Sequence, residues 1–358
     1  MRSTTEPAAI QLLTPEGERL DDPRYPLDVD RETLRRLYQD MVLTRRFDVE
    51  ATALQRQGEL GLWAPLVGQE AAQIGAAYAL EARDFVFPTY REHGLAYARG
   101  VDPLGVLSLF RGTSHGGWNP NEHNFGLYTI VIGNQALHAC GWAFGDRALG
   151  GDSVALTCFG DGAMSQGDIN EAFVWASVFD LPVVFFCQNN QWAISEPLEK
   201  QTRVPLYHRA EGFGFPGVRV DGNDVLGVMA VVQDAVRKAR AGEGPTLVEA
   251  FTFRMGPHTT SDDPTRYRVD ADVEVWRHRD PIERLKVYLA HTGDADSTYF
   301  AEVDALAEQL GERIRTGTRA LPDPTPESWL SGIYAEPHPY VDADIATVRA
   351  WENAEVQP

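Results

Sequence analysis

The stretch SVALTCFGDGAMSQGDINEAFVWASVFDLPVVFFCQNNQWAIS, Ser153–Ser195, decides the fold. It opens on an apolar run of strand length, SVALTCF, and carries a second, PVVFFCQ, near its end. Between them GDINEAFVWASVFD repeats apolar residues at helical spacing, which predicts Ile169, Phe173, Ala176 and Phe179 on one face. Strand, helix and strand in that order make a β-α-β unit, with the strands parallel and the helix packed across them. Asp161 follows the first strand inside a Gly-Asp-Gly turn, and Asn189 and Asn190 follow the second.

Outward from this unit the α/β alternation continues. Downstream, VRV and the turn DGND lead into a helix through Val225 to Arg240, and PTLVEAFTF supplies another parallel strand. Upstream, Leu34, Leu37, Tyr38 and Met41 recur at helical spacing after Asp30, a natural N-cap, and Gly58 is a natural stop. A second helical pattern, GQEAAQIGAAYALE, precedes the strand-like DFVF and then PTYREHG. The reading is a mostly parallel sheet flanked by helices, an α/β domain over residues 30–290. Residues 1–29 read as an extended N-terminal arm. Beyond Asp270 two charged amphipathic helices and a Pro-rich tail are expected, with residues 291–358 packing on the surface. Residues 110–128 form a long loop rich in Gly, Asn and His, a length that is usually functional or disordered.

Composition narrows the function. A net charge of -20 in 358 residues repels phosphate at long range, which argues against nucleic acid or an anionic membrane as partner. Any phosphate must be held locally, by a metal or by clustered arginines. The N-terminus lacks the order of a secretory signal, and no apolar run approaches a membrane span. Cys140, Cys158 and Cys187 lack C-x-x-C spacing and sit in apolar runs, as reduced core cysteines of a cytoplasmic protein do. No G-x-x-x-x-G-K-[ST] is present and no strand leads into G-x-G-x-x-G, so two common phosphate devices are excluded.

In an open parallel sheet, ligands bind beyond the carboxyl ends of the strands, so Asp161 and the asparagine pair should converge. A carboxylate, a carboxamide oxygen and a backbone carbonyl are hard oxygen ligands suited to Mg²⁺ or Ca²⁺. Glycines let the backbone approach a ligand, and the helix after them supplies amides to an anion. The economical reading is a metal-bridged diphosphate.

Gly160-Asp161-Gly162, then 26 residues, then Asn189-Asn190 resembles the thiamine diphosphate motif. From about Asp30 to Tyr288 the chain is similar to the alpha subunit of the thiamine-dependent decarboxylating component of 2-oxo acid dehydrogenase complexes. TRRFD, GQEAAQIG, PTYREHG, VDGNDV and GPHTTSDDPTRYR stand where that family has counterparts. The resemblance implies that Asp161, Asn190 and the Trp192 carbonyl ligate Mg²⁺, with Gly162, Ala163, Tyr90 and Arg91 against the diphosphate. Arg254 and His258 fall in a loop that covers the cofactor. Ile132 stands where an apolar residue props the cofactor in its bent shape, and Ile130 offers backbone to the pyrimidine. Gln188, also a cofactor contact, replaces an arginine of some branched-chain members. Asn134 with Thr129 replaces a stretch that holds potassium in some members, although Gln135 is retained.

His258 lies in a Gly-Pro-flanked loop between an arginine and two aspartates, as a residue that hydrogen-bonds and shuttles protons would. Thr259 to Ser261 occupy a loop phosphorylated in some eukaryotic relatives. Leu62 and Trp63 read either as acyl-pocket lining or as core. His115 and His123, with Glu122 and Asn124, are spaced too irregularly for a metal and read as channel lining. The carboxylate that activates the aminopyrimidine comes in this family from a separate beta subunit, which implies an alpha2-beta2 heterotetramer passing acyl groups to a lipoyl acyltransferase. The substrate order is branched-chain 2-oxo acid, then pyruvate, with an acetoin-cleaving relative and a non-catalytic subunit as the other readings.

Overall fold

A computed structural model describes residues 9–355 of the chain. Its centre is a five-stranded, wholly parallel sheet. The strands are β1 (Phe85–Phe87), β2 (Ala155–Gly160), β3 (Val183–Asn189), β6 (Gly217–Asp221) and β7 (Thr246–Phe251), in the order β1-β2-β3-β7-β6. Two further strands, β4 (Trp192–Ala193) and β5 (Glu196–Pro197), form a small antiparallel hairpin just beyond β3.

The strands are apolar on both faces because both faces are covered. In β3, Val184 and Phe186 join a core with Ala72, Ala76, Val228 and Val232. The alternate residues Val183, Phe185 and Cys187 face a second core with Ala139, Ala143, Ile169 and Phe173. The helices Glu70–Tyr78 and Val225–Arg240 therefore lie on one side, and Asn134–Ala148 and Gly167–Val178 on the other. Asp30 caps the helix Arg31–Arg56 by accepting from the Thr33 amide at 2.7 Å.

Two expectations change. The helix Gly167–Val178 buries Ile169, Ala172, Phe173 and Ala176, but Phe179 lies just past its end and faces outward, 47% exposed, edge-on to Phe144 at 5.6 Å. The buried stripe of this helix ends at Ala176. The region after Asp270 holds five helices, Asp270–Arg277, Pro281–Thr292, Ser297–Ala320, Pro326–Leu330 and Pro339–Glu355, where two and a tail were expected. Three of them begin on a proline, whose missing N–H is harmless in a first turn, so these prolines start helices rather than prevent them. The arm before Asp30 docks on the sheet edge within its described part. Ile10 bridges Val220 in parallel, and Asp224 accepts from the amides of Leu12 and Leu13 at 2.5 and 2.8 Å. Among the described residues no helix is long and apolar enough to cross a membrane, and the three cysteines are free and buried.

Candidate active site

Four neighbouring strands end on one side of the sheet, and the segments leaving them build one cleft of about 520 Å³. β1 leads to Thr89, Tyr90 and Arg91, and β2 to Gly160–Ala163. β3 leads to Asn190, Trp192 and Ile194, and β7 to Arg254 and His258. Parallel pairing sets Gly160 beside Gln188, so the residues that follow them emerge together. Every residue predicted to touch cofactor or metal lines this cleft.

The acidic wall is Asp161, 1% exposed, in the first turn of a short 3-10 segment, Asp161–Ser165. The opening amides of such a turn have no intrahelical partner. Burial pushes the Asp161 carboxyl up to about 6, opposed first by a hydrogen bond from Gln201 Nε2 to Oδ2 at 2.7 Å. A carboxylate buried this way favours a cation close by. Asn190, also buried, donates to Gln69 Oε1 at 3.3 Å. The two glycines beside Asp161 differ. A Cβ on Gly162 would lie 2.7 Å from Ala193 Cβ, so the turn needs glycine to pack against the hairpin. A Cβ on Gly160 would meet nothing within 4 Å, so Gly160 keeps the cleft itself open.

The basic wall is Arg91 and Arg254, both buried, which meet at His258. Arg91 Nη2 and Arg254 Nη1 each lie 3.3 Å from His258 Nδ1. Guanidinium groups only donate, so Nδ1 accepts and the ring hydrogen sits on Nε2. Burial, then Arg91 and Arg254, lower the imidazole to about 4, which keeps it neutral at neutral pH. Arg254 also donates to the carbonyls of Trp192 at 3.2 Å and Ile194 at 2.7 Å and to the Tyr267 hydroxyl at 3.0 Å. Arg91 donates to the carbonyls of Pro65 at 2.5 Å and His258 at 2.9 Å. Burial and then Arg91 lower Arg254 to about 10. Neither arginine forms an ion pair among the described residues; the nearest anion to Arg254, Asp262, reaches it only through the Tyr267 hydroxyl, and Asp161 acts on it at longer range.

Gln188 lines the cleft, yet both ends of its amide are engaged in the wall. Nε2 donates to Glu92 Oε1 at 2.6 Å, and Oε1 accepts from Gln73 Nε2 at 3.2 Å. Glu92 also accepts from the Thr89 hydroxyl at 2.6 Å, and burial raises its carboxyl. Ile130 and Ile132 line the mouth and are exposed, at 71% and 41%. Leu62 faces the cleft, whereas Trp63 is core, stacked on His93 at 4.0 Å with its Nε1 donating to Asp48 Oδ1 at 2.8 Å. His115 and His123 do not line the cleft. They reach the carbonyls of Trp329 at 3.0 Å and Arg99 at 3.3 Å, and the channel expectation is corrected accordingly. Among the described residues no group of three or more His, Cys, Asp or Glu could hold a metal, so any cation here must take amide and carbonyl oxygens as well.

The sequence pattern assigns no role to Gln69, Glu92 or Gln201, although the first two stand within GQEAAQIG and PTYREHG. Nothing in the sequence signals Gln201, eleven residues past Asn190. Three buried polar atoms on the cleft residues lack partners: Gln69 Nε2, Gln135 Oε1 and Arg254 Nε. Open space at Gly160, two buried arginines without an ion pair facing a buried carboxylate, and orphaned polar atoms fit a diphosphate carrying a divalent cation.

The Dehydrogenase E1 component family matches residues 38–320. The alpha subunit of 3-methyl-2-oxobutanoate dehydrogenase of Mycobacterium tuberculosis is 46% identical over 342 residues, covering 95% of this chain and 93% of the relative. The pyruvate dehydrogenase E1 component subunit alpha of Staphylococcus epidermidis is 40% identical over 286 residues, 79% of this chain and 77% of the relative. Its Staphylococcus aureus counterpart is 41% identical over 287 residues, with the same coverage. The chain belongs to the dehydrogenase E1 component family, as a thiamine-dependent 2-oxo acid dehydrogenase chain with that family's α/β fold.

Proposed function

We propose that this chain is the alpha subunit of a cytoplasmic E1 component that decarboxylates a branched-chain 2-oxo acid and passes the acyl group to a lipoyl acyltransferase. The carrying observation is the pairing of a buried Asp161 with two buried arginines that form no ion pair among the described residues, across one cleft. Asp161, Asn190 and the Trp192 carbonyl would hold Mg²⁺. Gly162, Ala163, Tyr90, Arg91 and Arg254 would hold the diphosphate, with Gln188 behind them. Ile130 and Ile132 would support the rings. When bound, thiamine diphosphate supplies a thiazolium that accepts the electron pair released as carbon dioxide leaves.

The chain's own residues bind, orient and hold a proton. Arg91 and Arg254 fix the His258 ring through Nδ1, so His258 presents Nε2–H as a donor at neutral pH. That hydrogen can stabilise a developing oxyanion or be lent to it and recovered. This sharpens the proton-shuttle expectation: the ring starts as a neutral donor and not as a base.

The chain carries the diphosphate end only, so a beta subunit must supply the carboxylate for the aminopyrimidine. Ile130, Val131 and Ile132, exposed beside the cleft, suit a surface that a partner covers. The branched-chain preference rests on the 46% identity to the mycobacterial relative. The test is co-expression with the cognate beta chain and a 2-oxo acid panel with an artificial electron acceptor. Preference for 3-methyl-2-oxobutanoate supports the reading, and preference for pyruvate replaces the substrate. Full activity of the isolated chain overturns the two-subunit arrangement.

A further inference from the structure

The hairpin that follows Asn190 is an unusual piece of chain. Gln191 and Ile194 both take left-handed backbone, at φ of 70° and 58°, and a β-branched residue there is rare. Such conformations persist only where surroundings over-determine them. Here Gln191 Nε2 donates to the Thr252 carbonyl at 2.7 Å, and its own carbonyl accepts from the Leu198 amide at 3.0 Å. The twist brings Ala193 against Gly162 and returns the chain, through the short helix Leu198–Gln201, to Asp161.

Gln201 closes that return. Its Nε2 donates to Asp161 Oδ2 at 2.7 Å and to the Glu196 carbonyl at 3.0 Å. Both partners are acceptors, so the amide can sit only one way round; flipped, its oxygen would face two oxygens. Oε1 is thereby left buried without a partner, 4.0 Å from where a Cβ on Gly162 would stand. A buried acceptor beside the Gly-Asp-Gly turn needs a donor, which a water can supply.

We propose that Gln201 is a positioning residue for the cation: it fixes one oxygen of Asp161 so that the other meets the metal. The inference rests on the metal-diphosphate reading above and adds a residue to it. Outer partners of this kind orient a ligating carboxylate, and their loss typically weakens metal binding about 10- to 100-fold.

The test uses the assembled alpha-beta complex and titrates Mg²⁺ calorimetrically at saturating thiamine diphosphate. Gln201→Met keeps the side-chain length and removes both hydrogen bonds. Lys200→Met is the control, because it changes an exposed side chain of the same short helix without touching Asp161. The expected result is a roughly 10- to 100-fold weaker Mg²⁺ affinity in Gln201→Met and wild-type affinity in Lys200→Met, with both variants folded by circular dichroism. Wild-type Mg²⁺ affinity in Gln201→Met, or equal losses in the two variants, overturns the proposal. Normal Mg²⁺-dependent binding in Asp161→Asn would instead overturn the metal reading itself.

Discussion

Arg254 Nη1 donates to the carbonyl oxygen of Trp192 across 3.2 Å, so the basic wall of the cleft is tied directly to an oxygen proposed to face the metal. A carbonyl has two lone pairs and can serve a guanidinium and a cation together. Arg254 also reaches Ile194, Tyr267 and His258, so with Trp192 it serves four neutral acceptors, more than the three hydrogens of an ammonium can. Arg254→Lys should therefore weaken thiamine diphosphate binding tenfold or more, since losing one hydrogen bond from a charged group costs about 1.5–3 kcal/mol. Calorimetry of the assembled complex reads this directly, and an unchanged affinity would contradict the role.

His258→Ala should retain most cofactor affinity and lose turnover by roughly 10²- to 10⁴-fold, the usual range for a proton-handling residue. Steady-state rates with an artificial electron acceptor measure the loss. Near-normal rates would return His258 to a packing role. A defect seen only with the lipoyl substrate would place it in acyl transfer.

The two glycines of the turn should separate fold from binding. In Gly162→Ala the new methyl would meet Ala193 Cβ at 2.7 Å, so the hairpin must shift and the thermal midpoint should fall. In Gly160→Ala the methyl meets nothing within 4 Å, so stability should hold while cofactor affinity drops, because the methyl enters the cleft. Thermal scans beside calorimetry decide it, and equal behaviour of the two variants would refute the distinction.

Buried histidine sets one pH dependence. His93 is fully enclosed, with Nδ1 2.8 Å from the Tyr128 hydroxyl and Nε2 3.0 Å from the Ala64 carbonyl, and burial lowers it to about 3. The unfolded chain takes up this proton below about 6.5 and the folded chain only near 3, so the unfolded state binds more protons between these values. The stability His93 contributes is complete above 6.5 and is lost as pH falls. The buried carboxyls Asp48, Asp161 and Asp224, raised to about 6, act in the opposite sense, so the variant difference is the measurement. Urea midpoints at pH 7.5 and 5 should drop less in His93→Gln than in wild type. Parallel drops would exclude the assignment.

What the sequence alone determined is what local pattern can encode. Apolar runs of strand length around an amphipathic helix dictate a parallel β-α-β unit, and that topology carries Asp161 and Asn190 to the same, carboxyl, end of the strands. Asp30 as a cap, Gly58 as a stop and the motif residues of the cleft are legible for the same reason, because each depends on its immediate neighbours or on strand ends. Tertiary structure alone decided the rest. Gln201 meets Asp161 because two left-handed residues fold a hairpin back, and no residue pattern announces that return. Trp63 turns inward while Leu62 faces the cleft, because Asp48, a helix away, takes the indole N–H. His115 and His123 leave the cleft because surface carbonyls claim their ring nitrogens. Contacts between residues far apart in sequence depend on how packed layers place them, and hydrophobic period and motif spacing carry no information about that placement.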